Sequence, residues 1–159
     1  MSDQTATKDE TAAPQRPAGL DPLNLDLQLC FALYSASNRV TRLYRPLLQP
    51  LGLTYPQYLA MMALWERAPR TMGELTERLR LDSGTLAPLF DRLEARGLVS
   101  RARDPEDERR VLVSLTDEGV ALRDKAAEVP RQVFRQLPLP LDDLRQLKQG
   151  LDRLLAGFD

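Results

Sequence analysis

TMGELTERLRLDSGTLAPLFDRLEARGLVSRARDPEDERRVLVSL, running from Thr71 to Leu115, is the stretch from which the fold can be read. Thr71 and Glu74 form a capping box: the threonine oxygen takes one orphan N–H of a helix start and the glutamate reaches back. They open a short helix with Leu75 and Leu79 turned inward. Asp82, Ser83, Gly84 and Thr85 then supply a turn and an N-cap. A second helix continues through Leu86, Leu89, Phe90 and Leu93 until Gly97 stops it. Two short helices joined by a turn of about four residues make a helix-turn-helix. Beyond Gly97 the apolar period drops from helical to alternating. Val99 to Arg103 and Arg109 to Leu115 read as strands around a loop, Asp104 to Glu108, that is too polar to bury. A hairpin directly behind a helix-turn-helix is a wing.

Upstream, Leu25, Leu29, Ala32, Leu33, Ala36, Val40, Leu43 and Leu47 recur at helical spacing. They predict one amphipathic helix from Leu25 to Leu48, with Pro46 in its last turn and Pro50 and Gly52 ending it. Thr54 and Gln57 form another capping box, for a helix reaching Arg67. Downstream, Thr116, Asp117 and Glu118 start a long helix that Pro130 is expected to kink. Pro138 and Pro140 break the chain, and a last helix carries Leu144, Leu147, Leu151, Leu154 and Leu155.

The expected fold is therefore mainly α with a small β-hairpin wing: one long helix, three shorter ones, the hairpin and two more helices. The first and last segments hold more leucine than a winged helix-turn-helix needs for its own core, so their surplus stripe is a candidate dimer interface. The chain divides into a disordered tail (1–20), an N-terminal dimerisation helix (21–53), the winged helix-turn-helix (54–116) and C-terminal dimerisation helices (117–159), all in a single domain.

At 159 residues and 43% apolar content the chain has material for one core. No run of about 18 apolar residues would cross a membrane. Met1 to Gly19 is small, polar and proline-containing, without the apolar centre of a signal peptide, so a cytoplasmic protein with no membrane partner is expected. There are no histidines and one cysteine. That excludes a structural zinc site, a histidine general base and an intramolecular disulfide, and with them most enzyme chemistry and most metal sensing. No cofactor is expected.

Net charge is -1, which does not advertise nucleic acid. Between Arg67 and Arg110 the arginines at 67, 70, 78, 80, 92, 96, 101, 103, 109 and 110 face acids at 74, 77, 82, 91, 94, 104, 106, 107 and 108. Counted alone, that is a solvated, salt-bridged surface; position favours DNA. A major-groove helix reads bases with its N-terminal residues, here Ser83, Thr85, Ala87 and Pro88, whose hydroxyl and small apolar groups suit hydrogen bonds and thymine methyls. Arg92, further along, suits a phosphate or a guanine. Pro88 breaks a helix rule on an exposed surface, which points to function unless the helix begins later, near Thr85. In the wing, Asp107 can hold Arg109 extended for a minor groove; an exposed ion pair without function is the competing reading.

A lone cysteine on a helix is ordinarily a small buried hydrophobe. Cys30, however, lies near the start of its helix, where the dipole favours a thiolate, and off the main leucine stripe. It shares a polar and aromatic face with Tyr34, Ser37, Thr41 and Tyr44. Tyr34 is one turn away. Tyr44, 14 residues along, lies about 21 Å off at the helical rise. Two such helices crossing antiparallel near Ser37 would bring each Tyr44 to the partner's Cys30, where phenol O–H groups stabilise a thiolate and position a peroxide.

Leu29 to Tyr34 (LCFALY), Leu53 to Leu59 (LTYPQYL), Leu81 to Leu86 (LDSGTL) and Asp107 to Arg109 (DER) together resemble the organic hydroperoxide resistance regulators, a branch of the MarR family of winged-helix repressors. The similarity runs from Leu23 to Phe158. It implies a homodimer that binds a palindromic double-stranded DNA operator and releases it when Cys30 is oxidised by an organic hydroperoxide. Tyr34 and the partner's Tyr44 stand beside the thiol, with Tyr55 helping to hold that region. Some members carry a second cysteine in the later helices; none lies between Arg131 and Leu139 here. Cys30 should therefore pass from sulfenic acid to a mixed disulfide with a small thiol, or overoxidise.

Three other readings stay open. A thiol peroxidase would turn over peroxide, but such enzymes place the cysteine on a strand-rich fold. A MarR-type regulator answering a small aromatic ligand would make Cys30 incidental. A protein-binding winged helix would show no salt-dependent operator affinity.

Overall fold

A computed structural model describes residues 23–158; the tail expected at 1–20 lies outside them. The chain falls into two compact units, Met1–Asn38 and Arg39–Asp159, and helix α1 (Leu29–Leu48) begins in one and ends in the other. In the first unit the long helix expected from Leu25 starts instead at Leu29. Asn24 accepts the Asp26 N–H at 3.0 Å and turns Leu25–Leu27 into a single 3-10 turn, and Gln28 is extended. A short polar side chain has competed with the helix for its own backbone.

In the second unit α1 runs out at Leu48 into a 3-10 turn, Gln49–Leu51, closed by Gly52 in the left-handed region at φ 64. Helix α2 (Tyr55–Glu66) follows behind the Thr54–Gln57 capping box, both halves of which are made. The box also satisfies Gln57, the one polar residue buried in the core among the described residues, whose Oε1 accepts the Thr54 N–H at 2.9 Å. Strand β1 (Arg70–Thr71) leads into α3 (Met72–Leu79), whose start carries the second complete capping box, Thr71–Glu74. Arg80, left-handed at φ 53, turns the chain into α4 (Ser83–Ala95), which Asp82 caps. Strands β2 (Val99–Arg103) and β3 (Val111–Leu115) form the wing. Helices α5 (Asp117–Ala126), α6 (Val129–Gln136) and α7 (Leu141–Ala156) complete the described chain.

Three expectations are corrected. The sheet has three strands in the order β1-β3-β2, all antiparallel, because Arg70 and Thr71 pair with Val113 and Leu112 and cover the free edge of β3. The second wing strand starts at Val111, not Arg109, because Asp107 holds both Arg109 and Arg110 in the loop. Pro130 breaks its helix rather than kinking it. It sits in the first turn of α6, where its missing N–H costs nothing, so three helices follow the wing instead of two.

Helix α2 is central to the core: Tyr58, Ala60, Met61, Ala63 and Leu64 are buried. Against them lie Leu75 of α3, Leu86, Phe90 and Leu93 of α4, and Val99 and Val113 of the sheet. Full burial of each leucine or phenylalanine contributes roughly 1.5–3 kcal/mol.

The end of α4, the base of the wing and the start of α5 meet at one joint. Gly97, at φ 69, lets the Leu98 N–H return to the Leu93 carbonyl at 3.1 Å and its own N–H to Glu94 at 2.8 Å, closing α4 with a Schellman motif. Leu98 O then accepts the Thr116 N–H at 3.2 Å, and the Thr116 hydroxyl donates to Gly97 O. Gly119 packs so closely that a Cβ there would stand 2.0 Å from Leu98 O. Its own carbonyl accepts the Trp65 indole N–H at 2.9 Å. Gly119→Ala must therefore push α5 off the wing, an overpacking expected to destabilise by about 3 kcal/mol in thermal or denaturant unfolding. An unchanged midpoint would mean the joint yields.

Candidate nucleic-acid interface and thiol site

The N-terminal half of α4 is exposed at Ser83, Thr85, Ala87 and Pro88. The helix starts at Ser83, so Pro88 lies inside it, beyond the first turn, and the carbonyl of Gly84 has no helical donor four residues on. Asp82 accepts the Thr85 N–H through Oδ1 and the Thr85 hydroxyl through Oδ2, both at 2.8 Å. The Thr85 side-chain hydrogen bond, with the backbone one behind it, holds the Asp82 carboxyl below its ordinary range. With its proton committed, Thr85 presents only lone pairs outward, suited to an amino group of adenine or cytosine.

Pairing resolves the near-balance of charge. Arg67, Arg70, Arg78, Arg101, Arg109 and Arg110 each meet a carboxylate. Arg103 donates to Glu108 O at 2.7 Å, and Arg96 to the carbonyls of Leu51 and Gly52, so among the described residues neither has its charge met by a carboxylate. Arg92 is exposed on α4 and makes no ion pair among the described residues. Exposed pairs are worth little in stability, but they decide where positive charge remains: on α4 and along the wing.

At the wing tip, Asp107 Oδ1 accepts the Arg109 N–H at 3.1 Å and Nε at 3.0 Å, and Oδ2 accepts Nη2 at 3.2 Å. The Arg109 side chain is 91% exposed, yet its guanidinium is gripped by this fork through Nε and Nη2. The same hydrogen bonds lower the Asp107 carboxyl. Asp104 accepts the Glu106 N–H at 3.0 Å, so the loop is braced at both ends.

The first unit carries Cys30 and Tyr34. Cys30 is the second residue of α1, a free and exposed thiol, not a buried one. Tyr34 is 67% exposed, and no side-chain hydrogen bond joins it to Cys30. In the second unit the rings of Tyr44 and Tyr55 pack tilted, with centroids 4.7 Å apart, and Tyr58 adds a third ring 6.0 Å from Tyr44. Tyr58 in turn meets Trp65 edge-on at 6.2 Å. Sequence reasoning passed over Tyr58 and Trp65. The signal was the 55, 58, 65 spacing on one helix, which reads equally well as ordinary core.

The family described as "Transcriptional regulator SarA/Rot" matches residues 42–126. The organic hydroperoxide resistance transcriptional regulator of Bacillus subtilis (strain 168) is 47% identical over 135 residues, 85% of this chain and 92% of that protein. AbfR, solved as the Staphylococcus epidermidis protein, has a reduced, DNA-bound structure that is 34% identical with TM-score 0.72, covering 84% of this chain and 94% of that one. It has also been solved overoxidized on DNA and with a disulfide formed. PcaV of Streptomyces coelicolor, solved with its natural ligand, is 26% identical with TM-score 0.76, covering 88% and 100%.

Burial raises the phenol pKa of Tyr44, Tyr55 and Tyr58, and pushes Tyr58 to about 12 with the neighbouring rings adding to it. Raised values favour the neutral, folded form. The stabilisation is complete below the ordinary phenol value of 10.0 and is lost as pH rises toward 12. Alkaline titration followed by near-ultraviolet absorbance should show a late tyrosinate phase that Tyr58→Phe removes. A single phase at the ordinary value would contradict the packing of these rings.

Proposed function

Because the chain belongs to the MarR-type winged-helix regulators, in their organic hydroperoxide resistance branch, it is a DNA-binding transcriptional regulator and not an enzyme; from that premise we propose that Cys30 is its switch. The observation that carries this reading is the position of the only thiol: exposed in the first turn of a helix, where a peroxide can reach it. The thiol takes one oxygen from an organic hydroperoxide, leaving a sulfenic acid and an alcohol. With no other cysteine in the chain, a small thiol then displaces water to give a mixed disulfide.

The regulator acts as a homodimer built from 21–53 and 117–159, with 54–116 as the reader. Support comes from apolar side chains left exposed in each unit: Leu25, Leu27, Leu29 and Phe31 in the first, and Phe134, Leu147, Leu154 and Leu155 in the second. Two α1 helices crossing near Ser37 place the partner's Tyr44, steadied by Tyr55, beside Cys30 and Tyr34. Ser83, Thr85, Pro88 and Arg92 face the major groove of a palindromic operator, and Arg109, held by Asp107, the minor groove. Half-sites one helical turn apart, about 34 Å, leave little tolerance, so a small rotation of the dimer helices ends binding.

A second reading rests on a cleft of about 330 Å³ lined by Tyr58, Met62, Trp65, Arg123 and Pro130 within the second unit. A small aromatic ligand would fit it, and Cys30 would then be incidental.

Fluorescence anisotropy on DNA from upstream of the regulator's own gene separates the two. With a few equivalents of organic hydroperoxide and a small thiol, wild type should release the DNA and Cys30→Ser should keep it. Release by both, or by neither, sinks the thiol switch, and release of Cys30→Ser by aromatic compounds would install the cleft in its place. On the same duplex, Arg109→Ala should weaken binding and lower the slope of log affinity against log salt by about 1.

A further inference from the structure

Arg101 looks like one more DNA-binding arginine, yet its contacts assign it otherwise. It stands on β2 with its side chain only 26% exposed. Its Nη2 lies 2.7 Å from Asp91 Oδ1 and 2.7 Å from Glu94 Oε2, both on α4. Its Nε donates to Glu94 Oε2 at 2.9 Å, and its backbone N–H donates to Glu94 Oε1 at 3.0 Å. One carboxylate is thus held by the main chain and the side chain of the same residue, which fixes direction as well as distance. The pair is tuned accordingly: hydrogen bonding to Glu94 raises the Arg101 pKa, and hydrogen bonding to Arg101 lowers that of Glu94.

We propose that Arg101 is a positioning residue that locks the wing to the recognition helix at the angle the operator requires, without itself touching DNA. A single cation between two carboxylates carries net negative charge and is a poor partner for phosphate. Arg92 on α4 and Arg109 at the wing tip must enter their grooves together. Their contributions add only when the angle between their elements is set before binding, because otherwise ordering it consumes part of the gain. The other links between α4 and β2, the turn at Gly97 with its Thr116 bonds and the burial of Leu93 and Val99 in one core, act at the root of the strand and do not clamp it along its length. Asp91 is the immediate neighbour of Arg92, so the clamp closes beside a reading residue.

The test uses the full-length protein, the duplex that wild type selects from a random-sequence pool, and a base-scrambled duplex of equal length. The isosteric double variant Asp91→Asn/Glu94→Gln is compared with Arg101→Ala. Positioning predicts that the selected-to-scrambled affinity ratio falls roughly ten-fold in both, within the range of coupling seen in charged networks, and falls no further when all three changes are combined. Arg101→Lys, which keeps the charge but not the fork, should lie between. The opposite result is equally distinct. If Arg101 is a phosphate contact, freeing it in the double variant tightens both duplexes, steepens the salt slope by about 1 and leaves the ratio unchanged. An unchanged ratio in the double variant overturns the proposal. Should Arg101→Ala fail to fold by circular dichroism, the double variant still decides, since it alters charge and not shape.

Discussion

The contact on which the rest depends is the approach of Gly119 to the carbonyl of Leu98. A helix start can come that close to the root of a strand only where no Cβ intervenes, and a Cβ here, 2.0 Å from the Leu98 oxygen, would leave no room for adjustment. That approach lets Thr116 bond to Gly97 and Leu98 while capping α5, so one threonine ties the recognition helix, the wing and the following helix. The indole of Trp65 adds α2 to the same point. Four elements are then held by short-range hydrogen bonds and not by apolar packing alone, and polar bonds of fixed length and direction specify an angle better than a greasy surface does. For a protein that binds DNA through a helix and a wing, the angle between them is the quantity that matters.

Charge is handled by the same economy. A chain of net charge -1 binds a polyanion only if its cations are sorted. The sorting is visible in who pairs with whom. Arginines close to the core and along α2 and α3 meet glutamates, as Arg78 does with Glu66 at 2.6 Å. Among the described residues Arg92 meets none, and Arg96 and Arg103 give N–H groups to carbonyls, which orient a guanidinium without neutralising it. At the wing tip Asp107 grips the Arg109 guanidinium through Nε and Nη2, yet the side chain stays 91% exposed.

How much of this could be read from sequence follows from the range of each interaction. Both capping boxes and the Gly97 stop involve partners three to five residues apart, and all three stand where the spacing put them. The fork of Asp107 on Arg109 is equally local. Strand β1 escaped because two residues carry no period, and it exists only through its pairing with β3. The break before Pro130 escaped because a proline in a helical pattern reads alike as a kink or as a new first turn, and packing decides. The clamp of Arg101 on Glu94 spans a turn between a helix and a strand, where neither period applies. The rings of Tyr44 and Tyr55 come from different helices, so their tilted contact at 4.7 Å could not be counted out along either. Local chemistry was legible, and chemistry between elements was not.

Trp65 is the only tryptophan in the chain, and its N–H is spent on the carbonyl of Gly119. Any movement that parts α2 from α5 must first release that bond and wet the ring beside it. Indole emission shifts to longer wavelength as its surroundings become more polar. The molecule therefore carries a single fluorophore at the joint between its helices and its DNA reader, and the colour of its own light reports whether that joint is closed.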